Sequence, residues 1–216
     1  GVLRVDFTGL GGSGGDFANT HFSSNVDDLV AAADGLRSQH GAPALLVGHS
    51  LGGAAVLAAA HRIADAVAVA SIAAPFDPAH VTVQFGDRLQ AIRADGQAEV
   101  SLAGRNFTIR RELLEDLQAQ NQEARIHALR RPLMVLHAPR DGVVDISNAS
   151  RIFQAAMHPK SFVSLDQADH LLARAADARF AAGIIAAWAA RYVADDAAAT
   201  GVAPGAAAHD DAVHVT

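Results

Sequence analysis

A glycine–serine–glycine corner at residues 48–53, with the sequence Gly-His-Ser-Leu-Gly-Gly, constrains the fold of this chain more than any other feature. Gly48, Ser50 and Gly52 form the pattern G-x-S-x-G, in which a tight turn from a strand into a helix holds up a serine hydroxyl. Such a turn strains the serine backbone, and we expect it to leave no room for side chains at the flanking glycines. The pattern therefore needs a strand before Ser50 and a helix after it.

The residues on both sides of this corner supply the two elements. Residues 44–47 form a short apolar run that is typical of a buried strand, and residues 54–63 are rich in alanine and aliphatic side chains. Apolar residues on several faces predict a deeply buried helix. In this context Ser50 is a candidate nucleophile. The alternative is a glycine-rich turn that holds an incidental serine.

Strands and helices alternate along the rest of the chain. The patterns predict further strands at residues 2–7, 66–73, 132–137 and 161–165, and further helices at about 24–39, 147–157 and 175–193. Ser23 or Ser24 can cap the first of these helices. Short loops between alternating strands and helices predict an α/β protein with a parallel sheet covered on both faces.

The last predicted helix carries apolar residues at steps of three to four, and we interpret them as core contacts. They are Phe180, Ile184, Ile185, Trp188 and Tyr192. Beyond this helix, residues 195–216 have no packing pattern and predict a low-complexity linker or tail after one domain at residues 1–194. The last six residues could begin another strand.

Residues 76–131 interrupt the alternation. Polar helical segments at residues 87–93, 111–120 and 122–129 flank two alternating runs that meet at Gly104, which predicts a hairpin. We interpret this part of the chain as an insertion into the main sheet, of the kind that often forms a lid.

The composition excludes several classes of partner and site. The formal net charge is −6 and no cluster of Lys or Arg stands out, so nucleic acid is not an expected partner. The chain has no cysteine, which excludes disulfides and cysteine-ligated metals and permits an intracellular location. No apolar run reaches the length of a bilayer span, so we expect no membrane partner and predict a cytoplasmic protein.

A glycine-rich loop at residues 9–14 matches the dinucleotide-binding pattern G-x-G-x-x-G. That pattern places a pyrophosphate at the N-terminus of a helix that opens within the motif. Here residues 16–22 intervene before the next helical pattern, and Asp34, the acid at the expected distance, falls inside that helix. We expect a loop that is flexible or borders the site, and we predict no cofactor. The histidines show no paired metal-ligand spacing, so no metal is expected either.

Polar residues follow the predicted strands, at the edge where parallel sheets bind ligands. Ser50 follows the second strand, Asp141 and Asp145 follow the fourth, and His170 follows the fifth. The order serine, aspartate, histidine is that of a hydrolase triad, in which the histidine takes the serine proton and the acid orients the imidazole. The acid remains open between Asp141 and Asp145, and Asp77, after the third strand, is a further candidate.

Residues beside the proposed nucleophile and base are also candidates. The backbone N–H of Leu51, at the start of the helix after the corner, is placed to receive a developing oxyanion. His49 adjoins the nucleophile and is a candidate substrate-binding residue, although its position on the turn also allows it to be packed away. We expect Asp166 and Asp169, close to the base, to face solvent or to hold the loop.

Three segments resemble α/β-hydrolases: residues 48–53, the loop His-Ala-Pro-Arg-Asp-x-x-Val at 137–144, and Ala-Asp-His at 168–170. The resemblance runs to about residue 193 and implies the α/β-hydrolase fold, a mainly parallel sheet with a small lid insertion. It also implies that Asp141 is the acid, because the family's acid is followed three residues later by a valine. Asp145 stands where the family more often has proline.

Two segments, residues 17–20 and 158–165, are similar to hydrolase domains fused to an OsmC-like domain. This resemblance implies a fused OsmC-like partner domain, reached through the linker and beginning near residue 211. The family also has a strand and a loop ahead of the segment that starts at Gly1, and that loop supplies the second oxyanion-hole N–H. We therefore expect a fragment of a longer hydrolase.

The resemblance implies a serine hydrolase that cleaves carboxylic esters of small to medium acyl chains through an acyl-enzyme. Its partner would then be a small-molecule ester substrate. Serine at the corner argues against a dehalogenase or epoxide hydrolase with an aspartate nucleophile. A peptidase or thioesterase of the same mechanism is one alternative, and a non-catalytic hydrolase-like module of a larger fusion protein is another.

Overall fold

The computed structural model describes residues 1–102 and 104–193. In chain order its elements are α1 (Phe22–Gln39), β1 (Leu45–His49), α2 (Leu51–Ala59), β2 (Ala68–Ile72), α3 (Arg88–Asp95), β3 (Gln97–Leu102), β4 (Arg105–Arg110), α4 (Arg111–Gln118), α5 (Gln122–His127), β5 (Leu133–His137), α6 (Ser147–Ala155), β6 (Lys160–Ser164) and α7 (Ala175–Ala189). Short 3-10 helices occupy Phe17–Asn19, Ala60–Arg62 and Pro78–Phe85.

Four strands form the main sheet in the order β1-β2-β5-β6, and every neighbouring pair is parallel. The registers bring His49 beside Ile72 and His137 beside Ser164, so the ends of the strands meet at one edge of the sheet. This arrangement confirms the predicted α/β fold with a mainly parallel sheet. The polar residues that follow β1, β5 and β6 are thereby brought to the same edge.

Helices cover both faces of the sheet, and successive residues of a central strand therefore pack alternately into two apolar cores. Leu133 and Val135 of β5 face the core that α1, α2 and α6 complete, whereas Met134 and Leu136 face the core that α7 completes. A strand buried on both faces reads as a continuous apolar run. All five residues of β5 are buried, which is why its sequence shows no polar alternation.

The segment between β2 and β5 contains the predicted hairpin, in which β3 and β4 pair in antiparallel fashion. The hairpin and α3 build a small apolar cluster of their own, centred on Ile92, Val100 and Ile109. α4 contributes to both clusters: Leu114 joins this small cluster, whereas Leu117, together with Ile126 of α5, packs in the main core. Part of this segment therefore belongs to the main core, and part forms a separate layer beside the 3-10 helix Phe17–Asn19.

Residues 2–7 are not a strand, contrary to the prediction. β1 pairs with β2 along one edge, and no described residue pairs with its other edge, so residues 2–7 do not join the sheet and complete no ladder. The segment is held by the next loop instead: the Gly12 N–H donates to the Asp6 carboxylate at 3.0 Å, and the Ser13 hydroxyl donates to the Asp6 carbonyl at 2.6 Å. Strand-forming side chains therefore do not produce a strand here.

Two predictions about helices were wrong in detail. α1 begins at Phe22 and its N-cap is His21, which accepts from the Ser24 N–H through Nδ1 while the Ser24 hydroxyl oxygen accepts from the His21 N–H. In α7, Phe180 is 51% exposed, whereas Ile185 and Trp188 are buried. Phe180 lies on the solvent side because the buried stripe runs through residues 181, 185 and 188, one position further on.

The predicted linker or tail at residues 195–216 lies outside the described residues. Within the part of the chain that is described, no helix has the length and the apolar character needed to cross a membrane.

Candidate active site

The corner after β1 holds Ser50 in a backbone conformation that L-residues rarely adopt. Ser50 has φ 53° and ψ −128°, and its N–H donates to the Ile72 carbonyl of β2 at 2.8 Å. A positive φ at a non-glycine residue costs on the order of 1–3 kcal/mol and persists only where the surrounding structure imposes it. Here β1, β2 and α2 impose it, so the serine side chain stands at the edge of the sheet.

Close packing requires glycine at only some positions of the corner. A Cβ on Gly48 would lie 2.2 Å from the Gly52 carbonyl oxygen, and one on Gly53 would lie 2.7 Å from the Ala74 Cβ. At Gly52 the nearest atom would be the Phe7 ring at 4.0 Å, an ordinary contact. The expectation of no space beside the serine is therefore wrong for Gly52, because its missing Cβ would point away from the turn.

His170 lies between Ser50 and Asp141. Its Nε2 is 3.0 Å from the Ser50 Oγ, and its Nδ1 is 2.8 Å from the Asp141 Oδ2. The carboxylate can only accept, so Nδ1 carries the proton and donates, and the unprotonated Nε2 accepts from the serine hydroxyl. The loops after β5 and β6 carry Asp141 and His170. The structure thus joins the ends of three strands in one chain of hydrogen bonds.

The Asp141 carboxylate is buried and fully hydrogen-bonded. Oδ1 accepts from the N–H groups of Val143 at 2.8 Å and Val144 at 2.9 Å, while Oδ2 accepts from His170. Burial raises the pKa of Asp141, but the hydrogen bonds from His170, Val144 and Val143 together outweigh burial and lower it below its ordinary value. The acid is therefore a carboxylate at neutral pH and keeps His170 in one tautomer.

The other two candidate acids, Asp145 and Asp77, point elsewhere, as do Asp166 and Asp169. Asp145 accepts from the Ser147 N–H at 2.8 Å, and Asp77 accepts from the Ala79 N–H at 2.9 Å, each at the start of a helix. Asp169 accepts from the Ala173 N–H, and Asp166 accepts from the Ser164 hydroxyl. All four are exposed. Asp141 is the acid that contacts His170.

His49 and His170 lie side by side, although they are far apart in the sequence. The His49 Nε2 is 2.6 Å from the carbonyl oxygen of His170, and the two rings are 5.0 Å apart at 47°. Burial lowers the pKa of His49, against the opposing effect of its hydrogen bond to that carbonyl. His49, predicted as a substrate-binding residue, is thus a neutral, partly buried ring that uses its Nε2–H within the protein.

His137, to which no sequence pattern assigns a function, is fully buried beneath Asp141. Its Nε2 donates to the Val144 carbonyl at 2.7 Å and lies 3.6 Å from the Asp141 Oδ2. A histidine that ends a fully buried strand is a signal that could have identified it, since a buried polar side chain needs a partner. The ring closes the turn that presents Asp141.

α2 begins directly after Ser50, so its N-terminus lies beside the serine. Leu51 is the first residue of α2, so its N–H has no acceptor within the helix and remains available at the positive end of the helix dipole. The role of Leu51 as an oxyanion donor stays a prediction.

The glycine-rich loop at residues 9–14 is organised around carboxylates, not around a phosphate. Gly12 donates to Asp6, and Thr8 donates to Asp28 through its N–H at 2.8 Å and its hydroxyl at 3.0 Å. The next helical element is a single 3-10 turn, Phe17–Asn19. A dinucleotide does not fit these observations. Among residues 1–102 and 104–193, no group of three or more His, Cys, Asp or Glu side chains is arranged to hold a metal ion.

Comparison with known proteins identifies close matches to this architecture. The model of the alpha/beta hydrolase family matches residues 1–209. The esterase domain of a Rhodothermus marinus protein is 49% identical to this chain, with a TM-score of 0.68, and the match covers 82% of this chain and 73% of that one. No significant match is found among the curated proteins.

More distant structures share the fold. Alpha/beta hydrolase domain-containing protein 10 from mouse is 21% identical, with a TM-score of 0.67 over 86% of this chain and 76% of that one. Est1E from Butyrivibrio proteoclasticus, solved with ferulic acid bound, is 17% identical, with a TM-score of 0.69 over 84% of this chain and 76% of that one. At these identities the likeness concerns the fold alone.

Proposed function

Because the chain belongs to the alpha/beta hydrolase family, we propose that it is a serine hydrolase that cleaves carboxylic esters of small to medium acyl chains. In this proposal Ser50 is the nucleophile and His170 is the general base and general acid. The Asp141 carboxylate orients the His170 ring. The observation that carries the proposal is the position of His170, 3.0 Å from the serine oxygen and 2.8 Å from a buried carboxylate.

Acylation follows from these contacts. The Ser50 oxygen attacks the ester carbonyl carbon while its proton passes to the His170 Nε2, and the carbonyl oxygen becomes an oxyanion facing the Leu51 N–H. The Asp141 carboxylate stabilises the imidazolium that forms. When the tetrahedral intermediate collapses, the C–O bond to the alcohol breaks and His170 returns its proton to the leaving oxygen.

Deacylation repeats the cycle with water. His170 removes a proton from water, the resulting hydroxide attacks the acyl carbon, and the acyl-enzyme bond to Ser50 breaks as the serine oxygen regains a proton. The products are the carboxylic acid and the enzyme with its serine restored.

The choice of esters as the substrate class is supported by the 49% identical esterase domain. Activity, substrate and chain length differ among proteins of one fold, so the fold itself does not select them. An assay over p-nitrophenyl esters from acetate to decanoate, with matched thioester and peptide-amide substrates, tests this choice. Faster turnover of thioesters or peptides would favour one of the related activities of the same mechanism.

A fluorophosphonate probe tests the proposed nucleophile directly. We expect covalent labelling located at Ser50 by mass spectrometry, and loss of labelling in Ser50→Ala and His170→Ala. Ester turnover in the same variants should fall by roughly 10⁴–10⁶-fold, as is typical when a member of such a triad is removed. Asp145→Asn is a matched control, because this exposed carboxylate accepts from the Ser147 N–H at the start of α6 and does not contact His170.

Two results would contradict the proposal. Labelling at another residue would place the chemistry elsewhere. A folded protein that neither labels nor hydrolyses any ester would favour the non-catalytic hydrolase-like module.

A further inference from the structure

His49 touches both halves of the proposed serine–histidine pair. Its main chain leads directly into Ser50, and its side chain reaches the main chain of His170, where Nε2 lies 2.6 Å from the carbonyl oxygen. A carbonyl oxygen only accepts hydrogen bonds, so Nε2 carries the proton and donates. This contact links residues 121 positions apart in the sequence.

We propose that His49 is a positioning residue that fixes the main chain of His170 relative to Ser50. The inference rests on the proposed function, because positioning matters only if His170 takes the serine proton. Nothing in this inference requires His49 to touch the substrate.

The loop that carries His170 needs such a contact. It follows β6 without regular structure, and both Asp166 and Leu172 adopt a positive φ, 44° and 50°, which no ladder or helix imposes there. Its internal backbone bonds run from the Ala168 N–H to the Leu165 carbonyl and from the Leu172 N–H to the Asp169 carbonyl, and neither uses the N–H or the carbonyl of His170. The bond from His49 reaches residue 170 itself and ties it to the last residue of β1.

The neutral state of His49 suits this position. During acylation His170 becomes an imidazolium, and a second positive ring 5.0 Å away would disfavour it. Burial lowers the pKa of His49, so the ring is uncharged when the His170 cation forms. A neutral donor can therefore hold the loop without opposing the proton transfer.

A misplacement of about 1 Å in a catalytic group can cost roughly 10²-fold in rate. Replacing His49 with leucine, which keeps the bulk and removes the donor, should accordingly lower kcat and the rate of fluorophosphonate labelling by about 10- to 100-fold. KM should stay within about 2-fold, and the loss should be equal for acetate and for longer esters, because the substrate contacts are unchanged.

Conservative variants distinguish positioning from packing. The amide of His49→Gln can reach the carbonyl of His170, whereas the shorter amide of His49→Asn cannot. We expect His49→Gln to recover most of the activity and His49→Asn to resemble His49→Leu. The proton between His170 Nδ1 and Asp141 can be followed as a downfield resonance in the ¹H NMR spectrum. This resonance should stay sharp in wild type and His49→Gln and broaden in the other two variants.

Several outcomes would overturn the inference. Wild-type kcat in His49→Leu, or a loss that appears in KM and varies with acyl chain length, would assign His49 to substrate binding. If His49→Leu does not fold, equal activities of the glutamine and asparagine variants would still refute positioning. Failure of the proposed function is separate, because the wild-type protein would then not be labelled at Ser50.

Discussion

His137 and Val144 close the turn that carries Asp141, with the imidazole Nε2 2.7 Å from the carbonyl oxygen of Val144. The same turn directs the N–H groups of Val143 and Val144 at the carboxylate. The buried acid is thus held by its own loop, and that loop is held by a side chain from the end of β5.

His137→Leu should therefore lower both stability and activity. The substitution leaves the buried Val144 carbonyl without its donor, which typically costs about 1–3 kcal/mol in the free energy of unfolding. Urea unfolding and ester turnover measure the two effects. His80→Ala is the matched control, because His80 is partly exposed and donates to the adjacent Val143 carbonyl at 3.2 Å. Equal effects of the two substitutions would contradict this account of His137.

Ser50→Gly should be more stable than Ser50→Ala, although both lack the nucleophile. Glycine relieves the strain of φ 53°, worth on the order of 1–3 kcal/mol, and loses about 0.5–1 kcal/mol through the entropy of the unfolded chain. We expect a net difference of about 1 kcal/mol in urea unfolding.

Ser150, an exposed residue within α6, is a control at which the stability difference between the glycine and alanine variants should have the opposite sign. There Ser150→Gly should be less stable than Ser150→Ala by about 1 kcal/mol. If glycine destabilises both positions equally, the corner is not strained.

Gly48→Ala and Gly52→Ala should have very different effects on the labelling of Ser50, although both glycines lie two residues from the serine. The new Cβ at Gly48 would meet backbone atoms of Gly52 and Gly53 at 2.2–2.8 Å, so the turn must open and displace Ser50. At Gly52 the new Cβ would make only ordinary contact with Phe7. We expect Gly48→Ala to abolish labelling of Ser50 and Gly52→Ala to retain it, with circular dichroism as the check on folding. Loss of labelling in both variants would show that the turn tolerates no side chain at either position.

Asp141→Asn should impair the site at every pH. An amide offers one acceptor oxygen where the carboxylate offers two, so either His170 or the loop N–H groups lose their acceptor. The proposed turnover of esters should fall by about 10⁴-fold, as in known serine–histidine–aspartate triads with this substitution. A variant that retains wild-type turnover would show that another group orients His170.

The same carboxylate should make the stability of the protein dependent on pH. Because the folded protein lowers the pKa of Asp141, its contribution is complete above the ordinary value of about 3.9 and is lost as pH falls through the folded pKa. The fall in unfolding free energy below about pH 4 should be shallower in Asp141→Asn than in wild type. A parallel fall in both proteins would contradict the lowered pKa.

Phe180→Ser and Ile185→Ala test which face of α7 is the core face. Phe180 is 51% exposed and Ile185 is 7% exposed. The first substitution should change the free energy of unfolding by less than about 0.5 kcal/mol, and the second should lower it by about 2–5 kcal/mol. Thermal or urea unfolding measures both, and a large loss at Phe180 would reverse the assignment.

Much of the fold could be predicted because it depends on local periodicity. The apolar run before Asp141 has no polar alternation, which is the pattern of a strand buried between two layers of helices, and all five residues of β5 are buried. The run before Ser50 has the same pattern, but β1 lies at the edge of the sheet that the described residues form and Val47 is 47% exposed, so the prediction of a buried strand was wrong there. The failure at residues 2–7 concerns a non-local requirement. Residues 2–7 have the composition of a strand, but a strand also needs a neighbour, and no described segment pairs with that edge of β1.

The chain order of Ser50, Asp141 and His170, and their positions just after strands, are properties of the sequence by itself. A parallel sheet brings such positions to one edge independently of which side chains occupy them. Only the tertiary structure decided which acid faces His170 and which histidines hold the loops. Asp141 and Asp145 are four residues apart in one loop, but only one can reach a ring on the next strand's loop. Hydrogen bonds between distant segments depend on distances that no local pattern encodes.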